Sequence, residues 1–140
     1  EKTTEKYLKF ERRLKHHPEL CNVAALHTNA IWWIAHNIKA STVDRYFILY
    51  PNPYPKDAQK RFFQMPFMSH IVETLKPGGT ITLATNEKFY FEESLENAKK
   101  IWSLKVLENQ NVSSDQKPRT HFEKKYLERG EVCWNLVVQK

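Results

Sequence analysis

Asn52 stands between two prolines directly after an apolar run, in the order Phe47-Ile48-Leu49-Tyr50-Pro51-Asn52-Pro53-Tyr54-Pro55-Lys56. The run Tyr46-Phe47-Ile48-Leu49-Tyr50 fits a strand covered on both faces. Pro51 and Pro53 lack the N–H that a ladder needs, so the chain has to leave the sheet there. A proline also drives the residue before it into an extended conformation, which constrains Tyr50 and Asn52 alike. A short polar side chain is thereby held at the carboxyl end of a strand, the edge at which open α/β sheets bind their ligands. The competing reading is a proline-rich loop whose asparagine is incidental.

No other residues form so pointed a constellation. His16-His17 has no cysteine or acidic partner at metal spacing, and Cys21 and Cys133 lie far apart, so we expect no metal site. Both cysteines read as small core hydrophobes in a reduced compartment. Trp32 and Trp33 read as core, and Met65 and Met68, amid Phe62, Phe63 and Phe67, as a helix face against a sheet. Lys60, Arg61, Lys99, Lys100, Lys124, Lys125 and Arg129 either line one basic surface for phosphates or are simply a wetted face. The net charge of +6 over 140 residues suits an anionic partner such as RNA, or serves solubility. No apolar run reaches the length of a membrane span and no signal peptide is present, which points to a cytoplasmic protein. The first residue is Glu1 rather than Met, so we expect sequence upstream of it.

The elements that must position Asn52 alternate between helix and strand. Residues 2–16 predict an amphipathic helix, 22–26 a short strand, and 30–39 a helix apolar enough to pack against a sheet. Residues 42–50 form the strand before Asn52. A helix is expected over 57–75, stopped by Lys76-Pro77-Gly78-Gly79. The strand 80–85, the helix 89–102 and the strand 103–108 follow. Residues 109–119, with Ser113-Ser114-Asp115, read as a mobile loop, 122–129 as a helical turn and 132–139 as the last strand. Helices between strands imply βαβ units in one domain over 1–140, with a mostly parallel sheet closed by a C-terminal antiparallel hairpin.

That order resembles the Rossmann-like methyltransferases, and four segments resemble one family among them, the tRNA (guanine-N7)-methyltransferases. Thr28-Asn29-Ala30 resembles the family's Asp/Asn-Ala step, and Tyr50-Pro51-Asn52-Pro53-Tyr54-Pro55-Lys56 its Pro-Asp-Pro-Trp-Pro-Lys. Leu75-Lys76-Pro77-Gly78-Gly79, then Ala84-Thr85-Asn86, resembles Leu-Lys-Pro-Gly-Gly followed by Ala-Thr-Asp. Thr120-His121-Phe122-Glu123, Gly130 and Trp134-Asn135-Leu136 resemble Thr-Lys-Phe-Glu and a terminal Trp-Asp-Leu strand. The Lys-Pro-Gly-Gly turn alone is common to many methyltransferases; all four segments in order are specific.

The resemblance implies S-adenosyl-L-methionine as cofactor and tRNA as partner. It puts Asn29 near the cofactor, with a helix N-cap as a compatible second role. It puts Asn52 at the transfer site, both catalytic and cofactor-facing, where the family normally has aspartate. Lys56, Asn86, Thr120, His121, Phe122 and Glu123 fall on the substrate side, with Asn86 again in place of an aspartate and His121 in place of a lysine. Phe122 is equally readable as core and Glu123 as a first-turn helix residue. The family's Gly-rich first turn has no counterpart, because Gly78, Gly79 and Gly130 form no G-x-G pattern. The chain therefore reads as a downstream portion whose N-terminal strands are absent. Methyl transfer to guanine N7 in tRNA is the expectation. The alternatives are a methyltransferase with another acceptor, and an inactive relative that binds RNA or a protein partner.

Overall fold

The charged N-terminal stretch forms helix α1 over Thr4–Lys15, and the apolar stretch after Asn29 forms helix α2 over Ala30–Asn37. The computed structural model describes residues 1–112 and 116–140, which divide into two compact units, Glu1–Ile38 and Lys39–Lys140. The first unit holds α1 and α2. Residues 22–26 form no strand in it: the Leu26 carbonyl accepts from the Glu1 amino group at 2.9 Å, but among the described residues no ladder extends from that single contact. Nor is α2 buried as expected. Trp32 is 57% exposed and stacks its indole on His36 at 4.6 Å, and Cys21 is exposed rather than core.

The second unit is built on a four-stranded sheet. Its strands are β1 (Val43–Leu49), β2 (Leu75–Thr85), β3 (Lys105–Asn111) and β4 (Trp134–Gln139), in the order β1-β2-β4-β3. β1 and β2 are parallel, while β4 runs antiparallel to both β2 and β3. The C-terminal antiparallel hairpin is as expected. The sheet as a whole is mixed rather than mostly parallel, since only one of its three pairings is parallel. β1 lies at the edge and is covered on one face alone: Ile48 is buried and Phe47 is 62% exposed.

Lys76-Pro77-Gly78-Gly79 does not follow a long helix. The register steps from Val43↔Leu75 to Arg45↔Thr80, so these four residues bulge out opposite Asp44 alone. Gly79 is required there, because a Cβ would lie 2.9 Å from both Leu75 Cδ2 and the Lys76 carbonyl oxygen.

The helix expected over 57–75 is broken. Ala58–Lys60 makes one 3-10 turn, and helix α3 runs only from Met68 to Thr74. Pro66 explains the break: it lacks the helical N–H and disfavours helix in the residue before it. The irregular backbone between finds other partners. Phe62 N–H donates to the Tyr90 hydroxyl at 2.9 Å, and Trp102 Nε1 donates to the Phe63 carbonyl at 2.9 Å. Burial of Tyr90 pushes its pKa up to about 12. Phe63, Phe67 and Met68 are buried, as expected of that aromatic face.

Helix α4 (Lys88–Lys100) buries Tyr90, Phe91, Ser94, Asn97 and Ala98, the i, i+1, i+4, i+7, i+8 stripe of a helix against a sheet. Helix α5 (His121–Glu128) precedes β4. Of the loop expected over 109–119, residues 109–111 complete β3, and Ser113-Ser114-Asp115 lie outside the described residues.

Candidate functional site

The parallel register Leu49↔Ala84 brings the carboxyl ends of β1 and β2 side by side, and Thr85↔Trp134 adds the start of antiparallel β4 to the same edge. Three connections therefore meet there: the proline loop after β1, Asn86 after β2, and α5 with the turn that leads into β4.

Tyr50 begins the proline loop in the left-handed region at φ +51, not in the extended conformation expected before a proline. It is held there from three sides. Its N–H donates to the Ala84 carbonyl at 2.7 Å, its hydroxyl donates to Glu123 Oε2 at 2.8 Å, and its ring lies 5.5 Å from that of Tyr126. Non-glycine residues at positive φ are held by their surroundings and cluster at functional sites. Burial first, then hydrogen bonding to Cys133 and Glu123, raises the Tyr50 pKa far above that of a free phenol, so its hydroxyl stays a donor.

Asn52 is exposed, and its Oδ1 accepts the Tyr54 N–H at 3.3 Å in a turn closed by the side chain. With the oxygen so engaged, the side chain offers donors outward. Arg61 anchors the loop from beneath: it donates to the Tyr54 carbonyl at 3.0 Å and to Glu93 on α4, with Phe89 5.5 Å from its guanidinium. Arg61 is only 6% exposed and so is not part of a basic surface. Lys56 is exposed at the end of the loop.

Thr120-His121-Phe122-Glu123 is the N-terminus of α5. Thr120 Oγ1 accepts the Glu123 N–H at 3.0 Å, and Glu123 reaches back to accept the Arg119 N–H at 2.9 Å, a variation on the capping box. Glu123 is 1% exposed, and both its oxygens are engaged by the Arg119 guanidinium, the second also by Tyr50. Burial opposes its charged form, but the Arg119 and Tyr50 hydrogen bonds outweigh that and leave its pKa below the usual carboxylate range. Glu123 is thus sealed in as the member that ties α5 to the end of β1, and in this arrangement no lone pair faces a substrate. Arg119 continues the network to Asn135 at 2.7 Å, which donates to Glu108 at 3.1 Å.

His121 and Phe122 face outward, with Phe122 stacked on Tyr126 at 6.5 Å. Beside them runs a groove of about 640 Å³ lined by Lys117, Arg119, His121, Lys124 and Glu128, in which Arg119 is paired with Glu123 and Lys124 lies 3.7 Å from Glu128. Asn86 is half-buried and donates to Glu131 Oε2 at 3.0 Å. Asn29 lies in the other unit, where its Oδ1 accepts the Ile31 N–H at 3.0 Å as the N-cap of α2. The sheet edge therefore gathers Asn52, Asn86 and Thr120 to Glu123 within one unit.

Sequence reading missed Tyr50, Arg119 and Glu131. Arg119 and Glu123 at i, i+4 were a visible pairing signal; Glu131 carried none. Among the described residues there is no cluster of metal-ligating side chains and no helix long and apolar enough to cross a membrane.

A family model described as "Putative methyltransferase" matches residues 1–136. A tRNA (guanine-N(7)-)-methyltransferase of Burkholderia lata is 30% identical over 128 residues, covering 87% of this chain and 49% of that protein. The protein of the same description from Ralstonia pickettii is also 30% identical over 128 residues, with the same coverage. The chain spans about half the length of these curated relatives. Among solved structures, geranyl diphosphate methyltransferase in complex with SAM superposes with a TM-score of 0.62 at 10% identity, over 99% of this chain and 66% of that one. Geranyl diphosphate C-methyltransferase from Streptomyces coelicolor, in complex with Mg2+, geranyl diphosphate and S-adenosyl-L-homocysteine, gives 0.54 at 12% identity, over 91% and 58%. At such identities the likeness speaks for fold alone, and that fold is the Rossmann-like methyltransferase fold expected from the sequence.

Proposed function

The chain belongs to this methyltransferase family, and on that footing we propose that the protein transfers a methyl group from S-adenosyl-L-methionine to N7 of a guanine in tRNA. The observation that carries the reading is the convergence at the carboxyl edge of the sheet. The strained Tyr50, the Asn52 turn, Asn86 and the head of α5 meet there beside a groove whose lining includes Lys117, His121, Lys124 and Glu128.

The chemistry asks little of such a site. A methyl group placed on N7 would leave a positive charge on the purine and release no proton from N7, so the site would need no general base. The protein has to hold the base and offset the developing cation. Phe122 offers an exposed ring for stacking, and Lys117, Lys124 and Lys56 offer charge to phosphates. Asn52 offers amide donors at the reacting edge, and Glu123 acts by holding Tyr50 and α5 in place.

The residues described fit the cofactor only in part. Asn29 presents an amide, but no glycine makes the backbone cradle that a nucleoside cofactor needs. Gly78 and Gly79 form the bulge at the amino end of β2, and Gly130 ends α5. A cytoplasmic setting suits the two unpaired cysteines.

The test is methylation of tRNA by the protein at its full natural length, with nucleosides separated by mass spectrometry. 7-Methylguanosine is the expected product. A methyl group on another atom, or none on any tRNA, would overturn the reading.

A further inference from the structure

Helix α5 closes with a paired turn. Gly130 N–H donates to the Leu127 carbonyl and Glu131 N–H to the Tyr126 carbonyl, each at 3.0 Å, with Gly130 at φ +74. This is the Schellman closure, and it fixes the backbone of Glu131 immediately before β4. Because β4 starts opposite the end of β2, the Glu131 side chain meets Asn86, whose Nδ2 donates to Oε2 at 3.0 Å. The amide must present its nitrogen, since a carboxylate only accepts. The other oxygen has Arg129 Nη1 at 3.9 Å, too far for a hydrogen bond, and the side chain keeps 38% exposure. Glu123 has no free lone pair at this edge; Glu131 does.

We propose that Glu131 is the carboxylate that recognises the acceptor base, a purine presenting two adjacent N–H donors, with Asn86 as its positioning residue. The proposal rests on the methyl-transfer reading above and names the group that selects the base. A guanine edge offers N1–H and the N2 amine side by side, both donors. An adenine edge sets the N1 lone pair against the carboxylate instead. Leaving either partner unmatched in a partly desolvated site is what discriminates. The same charge offsets the cation that methylation leaves on the purine.

Short single-stranded RNAs carrying one guanosine, inosine or adenosine, titrated into the full-length protein without any methyl donor, test this by affinity alone. The wild type should prefer guanosine over inosine, which lacks the N2 amine, by about tenfold, the worth of one good hydrogen bond, and over adenosine by more. Glu131→Gln should bring guanosine and inosine to near parity. Asn86→Asp should do the same by setting two carboxylates against each other. Combining Asn86→Asp with Glu131→Gln exchanges amide and carboxylate and should restore the preference, which a merely structural role would not do. A guanosine preference that survives Glu131→Gln overturns the proposal. Parity in both single variants without rescue in the double overturns the positioning role of Asn86. A wild type that binds the three RNAs alike sinks the methyl-acceptor reading itself.

Discussion

No residue of Glu1–Ile38 is buried, whereas Lys39–Lys140 contains every buried side chain among the described residues. The contrast is not one of composition. Helix α2 reads Ala-Ile-Trp-Trp-Ile-Ala-His-Asn and is far more apolar than α4, which reads Lys-Phe-Tyr-Phe-Glu-Glu-Ser-Leu-Glu-Asn-Ala-Lys-Lys. Yet α4 buries five side chains, Ser94 and Asn97 among them, and α2 buries none. Periodicity says which face of a helix is apolar; the partners packed on it decide whether that face is buried.

The largest effect expected from this difference is in the cores. Leu83 on β2 is fully buried between β1 and β4, so Leu83→Ala should destabilise the protein by about 2–5 kcal/mol. Leu8 on α1 is exposed, and Leu8→Ala should stay within about 0.5 kcal/mol. Urea unfolding of both variants makes the comparison, and equal costs would show that the first unit carries a packed face after all.

Ion pairs sharpen the contrast at a smaller scale. Glu5 and Lys9 lie 2.7 Å apart on α1, both largely exposed, and Glu5→Gln should change stability by under about 1 kcal/mol. Glu123→Gln removes the charge and turns one of the two acceptor oxygens into a donor, leaving an Arg119 or Tyr50 donor unmatched, and should cost about 1–3 kcal/mol. The pH dependence follows from sign. The folded pKa of Glu123 lies below its unfolded value, so its contribution is complete above the unfolded value of about 4.3 and is lost as pH falls through the folded one. Acid unfolding curves of wild type and Glu123→Gln should therefore converge at low pH. Curves that keep a constant separation would mean that the cost of the substitution does not come from the ionised carboxylate.

The same contrast marks what the residues alone could reveal. The strands over 43–49, 80–85 and 134–139 and the helix over 88–100 were legible because their patterns agree with the partners they have. The strand expected at 22–26 was misread because β-propensity cannot supply a ladder. The helix over 57–75 was overextended even though Pro66 stood in plain view, since the aromatic spacing around it also fits a helix. At the site, the place of Asn52 just after β1 was legible from its prolines, and the helical turn expected over 122–129 begins at His121, with Thr120 as its cap. The burial of Glu123 was not legible, because the sequence does not state which way the carboxylate turns. Glu131 was invisible because its contact with Asn86 depends on the antiparallel register of β2 and β4.

The smallest expected effect comes from a matched pair of caps. Helices α2 and α5 each have eight residues, and each has an N-cap whose side chain accepts a backbone N–H at 3.0 Å: Asn29 from Ile31, and Thr120 from Glu123. By the cap alone, either alanine substitution removes about 1 kcal/mol from its helix. Helix α5 is tied into the second unit by the Glu123–Tyr50 bond, so its loss is coupled to cooperative unfolding, and Thr120→Ala should lower global stability by about that amount. Helix α2 has no buried face, and an eight-residue helix is marginal without one. Asn29→Ala should therefore fray α2, seen as faster amide exchange over residues 31–37, while the global midpoint stays where it was. If Asn29→Ala moves the midpoint as far as Thr120→Ala does, α2 is coupled to the cooperative core, and exposure was the wrong guide to which helix matters for stability.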